Sequence, residues 1–104
     1  MHAYLIDAFK QTIEQVDIEP SLDAIRGLVG HDSLDSDELA RGNDRLFFDE
    51  ECFIRQQPQP GRFKLGSLPP VAGRGLVIGG GPDEAGLTEP SLSLDELRTQ
   101  VQFS

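Results

Sequence analysis

Gly75-Leu76-Val77-Ile78-Gly79 is a short, continuous apolar run closed at both ends by glycine. Such a run reads as the central strand of a sheet, buried on both faces. A central strand needs neighbours, and they are sought outward along the chain. On its N-terminal side, Phe63 and Leu65 alternate with Arg62 and Lys64, the pattern of a half-buried strand. Arg45-Leu46-Phe47-Phe48 is another strand candidate, with Asp49-Glu50-Glu51 as a turn and Cys52-Phe53-Ile54 as the return strand. Phe47 and Phe48, being adjacent on a strand, point to opposite faces.

The first third of the chain supplies two more strands. Residues 3–9 are apolar but for Asp7, and residues 12–18 are rich in β-branched side chains, with a tight turn at Lys10-Gln11 between them. Val16 and Ile18 share a face while Ile13 is out of phase, which predicts a bulge or an early end. Pro20 and Ser21 then start a helix whose apolar stripe is Leu22, Ile25, Leu28 and Val29, and Gly30 stops it. Residues 31–44 are acidic and turn-rich, with a weak strand around Ser33–Leu39. Near the end, Ser93-Leu94-Asp95-Glu96 is a capping box, with Leu92 and Leu97 as its hydrophobic staple. Leu94, Leu97 and Val101 share one face, and Phe103 is expected to pin the end of the chain to the core. The sum is a single α+β domain over residues 1–104: a small, mostly antiparallel sheet of about five or six short strands with two short helices.

Composition narrows the function. Nine basic and 18 acidic side chains leave a net charge of −9. That weighs against nucleic-acid and anionic-membrane binding, which need Lys/Arg footprints. A single cysteine excludes an internal disulfide framework and suits a reducing compartment. No apolar run approaches the ~18–20 residues of a membrane span, and the opening MHAYLIDAFK does not read as a signal peptide. The charge is unevenly spread. Residues 1–51 hold 13 acids and 4 bases, residues 52–82 hold no acid and four bases, and residues 83–104 hold five acids and one base.

No motif rises to a reaction. In the segment 73–81 the glycines flank a strand and are followed by Pro82, whereas a dinucleotide fingerprint needs strand, glycine loop and then helix. The P-loop's G-K-S/T is missing too. What remains is a small anion nest formed by the amides of Gly79, Gly80 and Gly81. Asp49-Glu50-Glu51, taken with Asp35, Asp37, Glu38 and Asp44, lack calcium-loop spacing and read as a solvated acidic turn. His2 and His31 are too isolated for a transition-metal site. Cys52, in the context Cys52-Phe53-Ile54, reads as a buried thiol rather than a nucleophile. No catalytic residue, metal or cofactor is expected.

Several blocks together carry a resemblance: Tyr4-Leu5-Ile6-Asp7-Ala8-Phe9, Asp44-Arg45-Leu46-Phe47-Phe48-Asp49-Glu50-Glu51, Val71-Ala72-Gly73-Arg74-Gly75-Leu76-Val77-Ile78-Gly79 and Leu92-Ser93-Leu94-Asp95-Glu96-Leu97. Their order resembles a family of small uncharacterised proteins encoded by bacteriophages, plasmids and bacterial mobile elements, a domain of unknown function. In that family "LIDP", "YVDDEG", "LAGKGLVLG" and "TLEELR"-like blocks recur. The chain departs from it with Ala8 in place of proline and with Phe48-Asp49-Glu50-Glu51-Cys52 in the hairpin. The resemblance implies a mobile-element setting and a cytoplasmic location in a bacterial host, not a reaction.

Two functions follow as expectations. The first is a non-enzymatic accessory protein that docks on a host or phage protein with a basic surface, with inhibition by mimicry of DNA charge as a special case. Its acidic face is Asp32, Asp35, Asp37, Glu38, Asp49, Glu50 and Glu51. The second is a protein that binds or sequesters a small anion or nucleotide through segment 61–82, using Arg62, Arg74, Gly79, Gly80 and Gly81. The oligomeric state is left open, a homodimer included.

Overall fold

A strand with apolar side chains on both faces is stable only when two separate layers cover it. The computed structural model describes residues 1–30, 33–39, 43–51, 61–81 and 83–103. Along the chain run β1 (His2–Asp7), β2 (Thr12–Asp17), α1 (Leu22–Val29), β3 (Asp35–Glu38), β4 (Asp44–Phe48), β5 (Arg62–Leu65), β6 (Val71–Ala72) and β7 (Arg74–Gly80). A 3-10 turn (Glu84–Gly86), β8 (Leu87–Thr88), α2 (Leu94–Gln100) and β9 (Val101–Phe103) follow. The larger sheet is ordered β2-β1-β7-β4-β3, with β8 also paired to β7, and the smaller sheet is ordered β6-β5-β9. Every pairing is antiparallel.

The fold is therefore α+β, and β7 is the central strand that its apolar run predicts. The strands beyond the expected five or six are β6, β8 and β9, each of two or three residues. Segments so short leave no periodic pattern. The return strand at Cys52-Phe53-Ile54 lies outside the described residues, as do the Cys52 thiol, His31 and Asp32.

Alternation along β7 separates two cores. Leu76 and Ile78 pack with Ala3, Phe47, and Ile25 and Val29 of α1. Val77 faces the other way, with Tyr4, Ile6, Leu46, Phe63, Leu65 and Leu97 of α2. The two-faced burial also explains the phase of Ile13. The β1–β2 register is unbroken from Asp7↔Thr12 to His2↔Asp17, so there is no bulge. Ile13 sits opposite Ile6 in one core and Val16 opposite Ala3 in the other. Phe47 and Phe48 split in the same way, Phe47 toward α1 and Phe48 against the opposite core.

The helices end where their caps say they should. The Ser21 side chain accepts the Ala24 N–H at 3.1 Å, and Gly30 closes α1 in the left-handed region. Both halves of the capping box form at Ser93 and Glu96. The stripe through Leu94 and Leu97 does not continue as helix to Val101, because α2 stops at Gln100 and the chain turns into β9. There Val101 pairs with Leu65, and Phe103 with Phe63.

Gly75 lies within β7 rather than in a turn before it, and the packing requires its missing side chain. A Cβ there would stand 2.6 Å from Phe63 Cζ and 2.9 Å from Leu46 Cδ1. A Gly75→Ala variant should lose about 1–3 kcal/mol through overpacking, read as a lower urea midpoint at unchanged slope. Phe63→Leu in the Gly75→Ala background should recover part of that loss. A fully additive double mutant would show that the two positions do not compete for space.

Candidate functional site

The acids fall into two populations. Asp7, Asp44 and Asp49 are buried and serve backbone amides. Asp7 Oδ1 accepts the N–H groups of Phe9 (2.9 Å) and Lys10 (3.2 Å), holding the β1–β2 turn, and its Oδ2 lies 3.3 Å from Arg74 Nε. Asp44, the first residue of β4, accepts the Ser91 N–H (2.7 Å), the Ser91 hydroxyl (3.0 Å) and the Leu92 N–H (3.0 Å). The Tyr4 hydroxyl donates to the Leu92 carbonyl at 3.0 Å. Asp44 and Tyr4 thus clamp the two residues that precede the cap of α2. Asp49 is only 2% exposed and accepts the Glu51 N–H at 3.1 Å. It is therefore not part of a solvated turn: its carboxylate closes the turn from within.

The second population lies on one margin of the larger sheet. Among the described residues β3 is its outermost strand, and its sequence is Asp35-Ser36-Asp37-Glu38. Asp35 and Glu38 are exposed, and Asp37 is half-buried. Asp35 stands opposite Phe48, the residue just before the Asp49-Glu50-Glu51 turn, so the two acidic stretches meet at one end of the hairpin. Glu50 is exposed and Glu51 half-buried there. At the other end Arg45 reaches across from β4. Its guanidinium donates to Ser36 Oγ (2.9 Å) and Glu38 Oε1 (2.9 Å), while its buried Nε has no acceptor among the described residues.

The structure does not bring the glycine and arginine candidates to one place. Arg62 projects from β5 on the exposed side of the smaller sheet. Arg74 begins β7 and Gly80 ends it, six residue rises or about 20 Å apart. The Gly80 N–H donates to the Asn43 carbonyl at 2.7 Å, so that amide is not offered to an anion. The hollow of about 400 Å³ beside Gly80 and Gly81 is lined, among the described residues, by Glu38 and Asp44 and by no basic side chain. Arg74 lines a smaller cleft of about 140 Å³ together with Asp49 and Phe9, the latter 47% exposed on its turn. No three His, Cys, Asp or Glu side chains converge as metal ligands among the described residues. No helix among them is long and apolar enough to cross a membrane.

Sequence reasoning did not assign the clamp at Asp44 or the tie at Arg45. The available signal was a charged pair, Asp44-Arg45, opening a strand that is otherwise apolar. Comparison of the chain with protein-family models, with curated proteins and with solved structures finds no match in any of the three.

Burial, and then the nearby carboxylates of Asp44, Glu96 and Glu89, push the Tyr4 phenol above its ordinary value of 10.0. The neutral phenol is thus favoured in the folded state. Its stabilising effect is complete below the ordinary value and is lost as pH rises through the raised one. Tyr4 is the chain's one tyrosine, so phenolate absorbance reports it alone. The midpoint is expected above 10, and Asp44→Asn should move it back toward the ordinary value. A midpoint at the unfolded value in the native protein would refute the Tyr4–Asp44 clamp.

Proposed function

We propose that this protein is a non-enzymatic binding protein that docks on the basic surface of a partner protein through the acidic margin of its larger sheet. The carrying observation is the placement of Asp35, Asp37 and Glu38 on the outermost strand, joined at one end by Glu50 and Glu51. The three buried acids are occupied with turns and a helix entry. Asp35, Asp37 and Glu50 therefore lead the local charge that a partner would meet, with Glu38 beside them bonded to Arg45. A net charge of −9 on 104 residues adds long-range attraction for a basic surface, such as a groove that ordinarily holds nucleic acid. The attraction accelerates encounter and weakens with salt.

The test compares three immobilised proteins for capture from bacterial lysate, eluted along a salt gradient. One is wild type, one is Asp35→Asn/Asp37→Asn/Glu50→Gln, and one is a control with equal charge loss elsewhere, Asp17→Asn/Asp23→Asn/Asp95→Asn. A specific partner should be held by wild type and control and lost, or eluted at much lower salt, by the margin variant. A partner held equally by all three would refute the proposal.

A further inference from the structure

We infer that β3 is a strand-addition site, which takes an extended basic segment of a partner protein as the next strand of the larger sheet. This rests on the acidic-margin reading above and adds the mode of binding.

The backbone carries the first part of the case. The Leu39 N–H donates to the Asp44 carbonyl at 3.0 Å. Hydrogen-bonded and non-bonded pairs alternate along an antiparallel ladder. With the register Asp35↔Phe48 and Asp37↔Leu46, Asp35 and Asp37 turn their backbone groups toward β4, while Ser36 and Glu38 turn theirs outward. The outward Ser36 N–H is taken by the Asp35 carboxylate at 2.8 Å. Among the described residues the Ser36 carbonyl and both backbone groups of Glu38 have no partner, which is the set an added strand uses.

Arg45 carries the second part. By holding Ser36 and Glu38 together it keeps β3 extended before any partner arrives, which lowers the ordering cost of docking. The opposite margin, β2, is less acidic, with Glu14 and Asp17 among its six residues against three acids among the four of β3.

Charge selects the occupant. A second copy of this chain would set three carboxylates against three, and like charges directly opposite destabilise a strand pair. A segment with Lys or Arg at alternate positions would instead place its cations on the face that carries Asp35 and Asp37. The same acids that block self-pairing therefore favour a basic strand.

The probes are two fluorescently labelled peptides of equal charge, Lys-Val-Lys-Val-Lys-Val-Lys and Lys-Pro-Lys-Pro-Lys-Pro-Lys. In the second, proline removes the backbone donors at the alternate positions, which are the ones that face β3 when the lysines stand opposite Asp35 and Asp37. The valine peptide should bind at least about tenfold tighter and should slow hydrogen exchange of the Glu38 amide. Glu38→Pro should abolish the difference between the peptides, whereas Glu38→Gln, which removes the same charge and keeps the amide, should preserve it. Equal binding of both peptides would overturn strand addition and leave the acidic-margin reading standing. Binding of neither would overturn both. If Glu38→Pro does not fold, wild-type exchange decides: protection of the Glu38 amide by the valine peptide supports the site, and unchanged exchange overturns it.

Discussion

The structure depends on one constraint: β7 is apolar on both faces and must be covered twice. Leu76 and Ile78 need a layer on one side, which α1 provides with Ile25 and Val29. Val77 and the flat surface at Gly75 need a layer on the other, which the smaller sheet and α2 provide with Phe63, Leu65 and Leu97. One residue links the two sheets. Gly73, at φ +87°, separates β6 from β7, so a nearly continuous stretch of chain leaves one sheet and enters the other. A left-handed residue at that bend is natural for glycine and strained for most other residues.

The same constraint explains the buried acids. A small domain that encloses two cores must end its strands and start its helices close to apolar surface, where backbone amides lose water. Asp7, Asp44 and Asp49 accept hydrogen bonds from such amides at two turns and at the entry of α2. Hydrogen bonds to carboxylates are stronger than those between neutral groups, and a buried donor left without one is costly. Among the described residues the remaining carboxylates are exposed or half-buried, and on β3 they lie along the margin of the sheet. Arg45 connects the two settings, since it is buried like the structural acids but bonded to the side chains of the margin.

Much of the fold is legible in the chain because the signals are local. The apolar run of β7, the alternation at Phe63 and Leu65, the stop at Gly30 and the capping box at Ser93–Glu96 each act within a few residues. Local chemistry therefore sets the main strands, both helices and the α+β class. Only tertiary structure decides which strands become neighbours. It puts Asp35-Ser36-Asp37-Glu38 on the outside of a sheet, separates Arg74 from Gly80 along one strand, and turns Asp49 inward while Glu50 faces water. Those outcomes depend on contacts between residues far apart in sequence, such as Asp44 with Ser91 and Tyr4 with Leu92. Net charge is a sum over the chain, but which carboxylates reach a partner depends on where folding places them.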